Sequence, residues 1–257
     1  MLTKADAKLV HALKSRRGRD KHGLFLAEGI RVVEDLLASA IDLQFVLVST
    51  TLGDTGRGRT LIAELHDVTT VKEVTERELS DIAETESPQG VLAVARIRET
   101  PLNDVQLASD AVILVLDAVQ DPGNLGTLIR SADAFGGAAV VALPGTVDYW
   151  GSKVIRSTVG AAFRIPLVSA REDEVWTWLE QNNVAICGAD MEGKPIGSIN
   201  LTGRVAVVVG NEGAGLREQT RAQLTELVSI PMRGHAESLN VAVAAGILLY
   251  ELSRRER

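Results

Sequence analysis

The sequence is poor in the residues that build metal clusters and disulfides. It holds one cysteine, Cys187, and four scattered histidines. That excludes an internal disulfide and gives no metal cluster. No apolar run is long enough to span a bilayer. The opening stretch MLTKADAKLVHALKSRRGRD lacks the apolar core of a secretory signal. There is no forward G-x-G-x-x-G dinucleotide fingerprint, no G-x-S-x-G elbow, no internal repeat and no low-complexity tract. These absences predict a soluble protein of a reducing cytoplasm, with no metal and no membrane span. They also argue against a serine hydrolase, and Cys187, at the end of an apolar strand, reads as core rather than nucleophile.

What is there suffices for a substantial core. The chain has 257 residues, 46% of them apolar, enough for one large domain or two modest ones. The net charge of −7 argues against a generic nucleic-acid binder. The charge is segregated, however. Residues 1–31 carry eight Lys/Arg against three acids, a surplus of five positive charges, with Arg16, Arg17, Arg19 and Lys21 clustered in the turn KSRRGRDKHG. Those four side chains are the candidates for phosphate contact.

Hydrophobic periodicity divides the chain in two. Residues 3–15 read as a helix, Leu24–Ala27 as a strand, 30–37 as a helix, Gln44–Ser49 as a strand, 59–66 as a helix and Val68–Val71 as a strand. A capping box at Thr75–Glu78 opens another helix, and Gln89–Ala95 is a strand. This alternation describes a small α/β domain over 1–97. Residues 98–110 are polar and aperiodic and read as a linker. The second domain, 111–257, opens on the fully apolar run Ala111–Leu116, which implies a parallel-sheet strand covered on both faces. The spacing then predicts a helix ending near Phe135, a strand over Ala139–Leu143, a helix over Trp150–Val159 and a strand over Ile165–Val168. It continues with a helix over 172–182, strands at Val184–Cys187 and Val205–Val209, and a final passage of short helix, strand and buried helix.

Three passages carry candidate chemistry. DPGNLGTLIR (121–130) is a turn feeding a helix, with Asn124, Thr127, Arg130 and Ser131 on the stripe opposite the apolar face. Its glycine spacing fits an anion-binding turn or simply a tight one. VVVGNEGAGL (207–216) places three glycines after a buried strand, as a ligand or another chain segment in close approach requires. Glu212 stands among them, either a solvated loop acid or the partner of a cation. In IPMRGHAESLNVAVA (230–244), Ser238 and Asn240 open an otherwise apolar helix, with Glu237 and Ser238 as possible caps.

Together these three passages, in this order and spacing, resemble the motifs of the SpoU/TrmH-type RNA ribose 2′-O-methyltransferases of the SPOUT superfamily. SKVIRSTVGAAFRIPL (152–167) is similar to the family's intermediate segment, with Thr158 where serine is usual. FLAEGIRVVEDLL (25–37) and SPQGVLAVA (87–95) resemble its ribosomal-protein-like substrate-binding domain. The resemblance implies an S-adenosylmethionine cofactor, a C-terminal α/β domain with a deep trefoil knot, and a homodimer with the active site near the subunit interface. It implies that Gly210, Ile230 and Leu239 hold the cofactor, largely through backbone groups. Asn124, Arg130, Glu212, Ser238 and Asn240 match the family's active-site positions. The substrate it implies is RNA, with large-subunit ribosomal RNA first and transfer RNA second. Arg130 stands where the family's proposed base stands. A guanidinium normally keeps its proton in proteins, which leaves two versions. Arg130 steadies the developing alkoxide while a nearby phosphate or hydroxyl assists, the version the physics favours, or an unusual environment deprotonates it transiently. Two readings compete: a non-catalytic RNA-binding or ribosome-assembly factor on the same fold, and a nicotinamide-dependent oxidoreductase. The first is disfavoured by Arg130, Ser238 and Asn240, the second by the absent fingerprint.

Overall fold

A capping box starts the chain in the computed structural model, which describes residues 2–235 and 237–255. Thr3 Oγ1 accepts from Asp6 N (3.1 Å), the Asp6 carboxylate accepts from Thr3 N (3.4 Å), and α1 (Lys4–Leu13) follows. The basic stretch after it is a helix, α2 (Arg16–His22), and not the turn its composition suggests. Ser15 Oγ accepts from Gly18 N (3.1 Å) at its start, and Gly23 ends it in the left-handed region. Next come β1 (Leu24–Glu28), α3 (Ile30–Leu37), β2 (Leu43–Ser49), α4 (Gly56–Val68), β3 (Val71–Val74), α5 (Glu76–Ile82) and β4 (Val91–Arg96). They form a four-stranded sheet in the order β1-β4-β2-β3, with β4 antiparallel to both neighbours and β2 parallel to β3. The third strand starts later than its periodicity predicts, because α4 continues through Val68. The Thr75–Glu78 capping box forms as expected.

Residues 98–110 differ from a free linker. Val105 is buried, and Leu102 and Leu107 pack on the same core as the strands that follow. Those strands begin with β5 (Val112–Leu116). After it come α6 (Pro122–Ala134), β6 (Ala139–Ala142), α7 (Ser152–Thr158), β7 (Leu167–Ser169), α8 (Glu172–Gln181), β8 (Ala185–Pro195), β9 (Val205–Val209), α9 (Glu218–Arg221), β10 (Glu226–Ser229) and α10 (Val241–Ser253). The six strands pair in parallel in the order β10-β8-β9-β5-β6-β7. All five residues of β5 and of β9 are buried, as runs covered on both faces must be. No helix among the described residues is long and apolar enough to cross a membrane.

The chain divides into two compact units, but not at a single point. The first is Met1–Arg98 with Asp148–Phe163, and the second is Glu99–Val147 with Arg164–Arg257. Residues 148–163 therefore leave the 111–257 domain to which their sequence position assigns them. The reason is aromatic packing: Phe25 lies 4.7 Å from Trp150 and 6.1 Å from Phe163, ring to ring, and all three are buried. Arg19 adds a polar tie. Its Nε donates to Asp148 Oδ2 (2.7 Å) and its Nη1 to the carbonyls of Leu13 (2.9 Å) and Lys14 (3.1 Å).

This corrects one expectation for the basic cluster. The Arg19 side chain is only 8% exposed and its donors are committed within the unit, so it is a structural residue and not a phosphate contact. Arg16, Arg17 and Lys21 remain exposed. Replacing one partner of a buried ion pair leaves the other charge uncompensated. Asp148→Ala is expected to destabilise the protein by on the order of 3 kcal/mol in urea unfolding, whereas Arg16→Ala changes stability by less than about 0.5 kcal/mol.

Candidate active site

Parallel α/β sheets bind ligands beyond the carboxyl ends of their strands, where the winding direction reverses. Here the chain winds outward from β5 through β6 to β7, returns through β8, and places β9 between β8 and β5. The loops that leave β5 and β9 thus emerge side by side. The Glu212 carboxylate, on the β9 loop, ties them. Its Oε2 accepts from Gln120 N (3.2 Å), and its Oε1 accepts from Asp121 N (3.0 Å) and Asn124 Nδ2 (3.1 Å). Asn124 continues the chain, its Oδ1 accepting from Asn240 Nδ2 (3.0 Å). Asn240 is the N-cap of α10, its Oδ1 accepting from Ala242 N (2.9 Å) and Val243 N (3.3 Å). Glu212, Asn124 and Asn240, from three separate passages, therefore form one hydrogen-bonded series. Burial pushes the Glu212 carboxyl up, but the Asn124 amide and the surrounding backbone N–H groups outweigh it and hold Glu212 below its ordinary value.

The β9 loop is shaped by close approach. Asn211 N donates to Gly215 O (3.0 Å) and Gly215 N returns to Asn211 O (2.9 Å), folding the loop on itself. A Cβ on Gly210 would lie 2.2 Å from the Gly215 carbonyl carbon, so no other residue fits there without moving backbone. Beside this loop is a cavity of about 340 Å³, lined by Gly210, Glu212, Ile230, Ser238 and Leu239 among others. Met191 and Met232 give it apolar walls, and Asp190 joins Glu212 as a second carboxylate. Such a site, apolar with a few placed polar groups and open backbone edges, suits a small ligand. Asp190 is paired with Arg221, so the Glu212 charge is the one that favours a ligand carrying positive charge.

Arg130 lies on α6, exposed, and its side chain has no hydrogen bond or ion pair among the described residues. Ser238 is exposed at the cavity and does not cap α10, a role that Asn240 takes. Ala236, within the third passage, lies outside the described residues.

Residues 111–250 match the SpoU rRNA Methylase family, and residues 4–93 match the MRM3-like substrate binding domain. The chain belongs to the SpoU rRNA methylase family. The chain is 38% identical over 242 residues to the Bacillus subtilis 23S rRNA (guanosine(2553)-2′-O)-methyltransferase RlmP, covering 93% of this chain and 92% of that protein. It is 40% identical over 182 residues to the 23S rRNA (guanosine-2′-O-)-methyltransferase RlmB of Coxiella burnetii, covering 69% of each. Among solved structures it is similar to the SpoU methyltransferase AviRb of Streptomyces viridochromogenes in complex with AdoMet (TM-score 0.90, 28% identity, 98% of each chain). It is also similar to an AdoMet-bound rRNA methyltransferase of Sinorhizobium meliloti (TM-score 0.88, 31% identity, 99% of this chain and 96% of that one).

As a SpoU-family chain, it gathers Gly210, Ile230, Leu239, Ser238 and Glu212 at one cavity, with Asn124 and Asn240 bonded at its edge. Arg130 does not line that cavity. Thr158, the threonine in a serine position, is fully buried and donates to Ile155 O (2.8 Å). Cys187 is core: burial pushes its thiol up to about 11. Sequence reasoning missed Asn211, whose Oδ1 accepts from Gly213 N and Ala214 N (both 3.0 Å) and whose Nδ2 donates to Ala118 O (3.0 Å). Its place between Gly210 and Glu212 was the available signal. It also missed Asp117, fully buried, which holds the β9 loop exit through Arg217 N (2.9 Å) and Arg217 Nε. Likewise unforeseen, Arg221 fixes the cavity carboxylate Asp190.

Two outcomes follow from the series. Asn240→Asp keeps the α10 cap but loses the donor to Asn124, so thermal stability holds while methyl transfer falls. Asn240→Ala loses the cap as well and costs about 1 kcal/mol; paired melting and transfer assays separate the two. A carboxylate held below its ordinary value stabilises the fold above the unfolded-state value of 4.5, and that contribution disappears as pH falls through the folded-state value. Glu212→Gln is therefore destabilising at pH 7, and its difference from the parent shrinks below pH 4.5 in pH-dependent unfolding.

Proposed function

We propose that the protein transfers a methyl group from S-adenosylmethionine to a ribose 2′-hydroxyl of large-subunit ribosomal RNA. The observation that carries this reading is that the second and third family motifs line one cavity at the sheet's switch point, with the first motif tied to them through Asn124. Relatives named as 23S rRNA 2′-O-methyltransferases, one matched over nearly its full length, support the substrate.

The cavity fits the cofactor chemically. Ile230, Leu239, Met191 and Met232 offer apolar surface for a purine, the glycine loop offers backbone donors and acceptors, and Glu212 complements a cationic donor. When bound, S-adenosylmethionine supplies an electrophilic methyl carbon activated by its sulfonium. The protein's part is then alignment and charge stabilisation. Gly210, Ile230 and Leu239 hold the donor. Ser238 and Asn240 orient the ribose, and Glu212 and Asn124 fix the loops that carry them. Arg130 steadies negative charge on the 2′-oxygen as its proton leaves for solvent or a neighbouring phosphate. An O–C bond forms as the C–S bond breaks, giving a 2′-O-methyl ribose and S-adenosylhomocysteine.

The same reading makes the catalytic domain a deep trefoil knot within 111–257, the position of β9 between β8 and β5 being compatible with it. It also makes the protein a cytoplasmic homodimer. The support for dimerisation is α10, which is apolar on nearly every side yet leaves Val243 51% and Tyr250 45% exposed. A dimer completes the site by bringing Arg130 of one protomer to the partner's cavity. Arg16, Arg17 and Lys21 contribute salt-sensitive RNA contacts from the first unit.

Arg130→Ala is expected to lower methyl transfer to a 23S rRNA transcript by about 10²-fold or more, with S-adenosylmethionine affinity by calorimetry unchanged. Full activity in that variant would overturn the assignment of Arg130. Absence of transfer to any ribosomal RNA by the parent would overturn the function itself. Val243→Asp with Tyr250→Asp should give a monomer in analytical ultracentrifugation.

A further inference from the structure

The first unit contains a cavity that the methyl-transfer reading does not use. It is about 240 Å³, open at the surface, and lined by Glu28, Gly29, Arg31, Gln89 and Arg156 together with neighbouring hydroxyl residues. That is below the roughly 300–1,000 Å³ of sites that engulf a whole small molecule. It suits a single unit of a longer chain.

Its chemistry selects an anion. Arg156 comes from α7, the segment that packs on this unit instead of on the domain of its sequence neighbours. Its Nη1 is shut off from solvent and has no hydrogen-bond partner among the described residues. The nearest carboxylate oxygen, Glu28 Oε2, is 3.9 Å away, an ion pair without a hydrogen bond. Glu28 itself is buried and already satisfied: Oε2 accepts from Glu84 N (3.0 Å) and Oε1 from the Thr85 hydroxyl. Glu28 thus holds the guanidinium in place while leaving its donors unused. Arg31 also lines the cavity and is exposed, and its side chain makes no hydrogen bond or close ion pair among the described residues, acting only at a distance on Glu34. Two cations against one engaged carboxylate leave the cavity positive.

The backbone agrees. Gly29, the N-cap of α3, has φ of +104°, and a Cβ there would meet Gln89 Oε1 at 3.1 Å. The wall at this point is therefore bare backbone. Gln89 Oε1 accepts from Ile30 N (3.1 Å), and the following first-turn amides of a helix have no intrahelical partner. Arg31 and Val32, which bear them, line the cavity.

We propose that this cavity seats one backbone phosphate of the RNA substrate, gripped between Arg31 and Arg156. The inference rests on the function proposed above and names where the first unit holds the nucleic acid. It places the principal contact at 28–32, 85–89 and 156, with the α2 cluster as a secondary, looser attraction. Guanidiniums suit this task because their planar donor fork matches phosphate oxygens.

The test uses the full chain with an in vitro 23S rRNA transcript. Filter binding across a salt series gives affinity and salt slope, calorimetry gives S-adenosylmethionine affinity, and thermal melting reports folding. Arg31→Gln, at an exposed position, is expected to weaken RNA binding about fivefold and to reduce the salt slope by about 0.7–0.9. Arg31→Gln with Arg156→Gln should weaken it by more than about twentyfold, with cofactor affinity unchanged. A folded Arg31→Gln variant whose RNA affinity and salt slope equal the parent's overturns the proposal, even if the double variant is unstable. A free-anion site is a distinct outcome that also overturns it: inorganic phosphate raises the parent's melting midpoint but not that of Arg31→Gln, while RNA binding is identical. Methylation by the parent with unaffected variants sinks only this site. A parent that neither binds nor methylates the transcript sinks the function and this inference together.

Discussion

The cavity end of the six-stranded sheet depends on the Glu212 carboxylate. Two loops leaving adjacent parallel strands expose backbone N–H groups that no ladder can satisfy. Glu212 accepts from Gln120 N and Asp121 N and from the Asn124 side chain, so a single charged group closes the β5 loop against the β9 loop. Asn124 passes the constraint to Asn240, which in turn caps α10. Loss of the carboxylate would release both loops and the helix start together. The cavity beside them is therefore a consequence of this bonding series as much as of the glycines that line it.

The architecture was legible in the sequence where burial follows from one strand's own composition. β5 and β9 are continuous apolar runs, and both are central strands. The capping box at Thr75 specified a helix start from four residues. Other features needed information that no local window contains. The basic turn after α1 is a helix because Ser15 and Gly23 cap both ends, a pattern outweighed in the sequence by charge density. Residues 148–163 join the first unit through Phe25, Trp150 and Phe163, aromatics far apart in sequence. Arg19 looked like its cationic neighbours until Asp148 was brought beside it.

The site was legible in a different way. Glycines and polar residues around an apolar strand marked Gly210, Glu212, Ser238 and Asn240, but local chemistry left solvated-loop and capping readings open. The structure keeps one of those readings and adds to it: Asn240 is a cap, and its remaining amide donor reaches Asn124. Asn211, Asp117 and Asp190 escaped notice because each acts through backbone groups or a distant arginine. Their sequence contexts, a loop asparagine, an aspartate just past one strand and another within a strand, are common and carry no periodic signal.

Arg130 is set apart by what its neighbours do. Two arginines of this unit are neutralised: Arg217 by the buried Asp117, Arg221 by Asp190. On α6 itself the natural partner for Arg130 would be Asp133, one turn along. Asp133 is instead taken by Arg164, whose Nε and Nη2 both donate to it at 3.0 and 2.7 Å. That pairing leaves Arg130 with its charge and its donor fork uncommitted on an exposed helix face. A guanidinium already bonded to a carboxylate would offer a developing alkoxide little, since its donors would have to be exchanged during the reaction. An unpaired one needs no such rearrangement. The Arg164–Asp133 pair thus keeps Arg130 available for the charge-stabilising role proposed above.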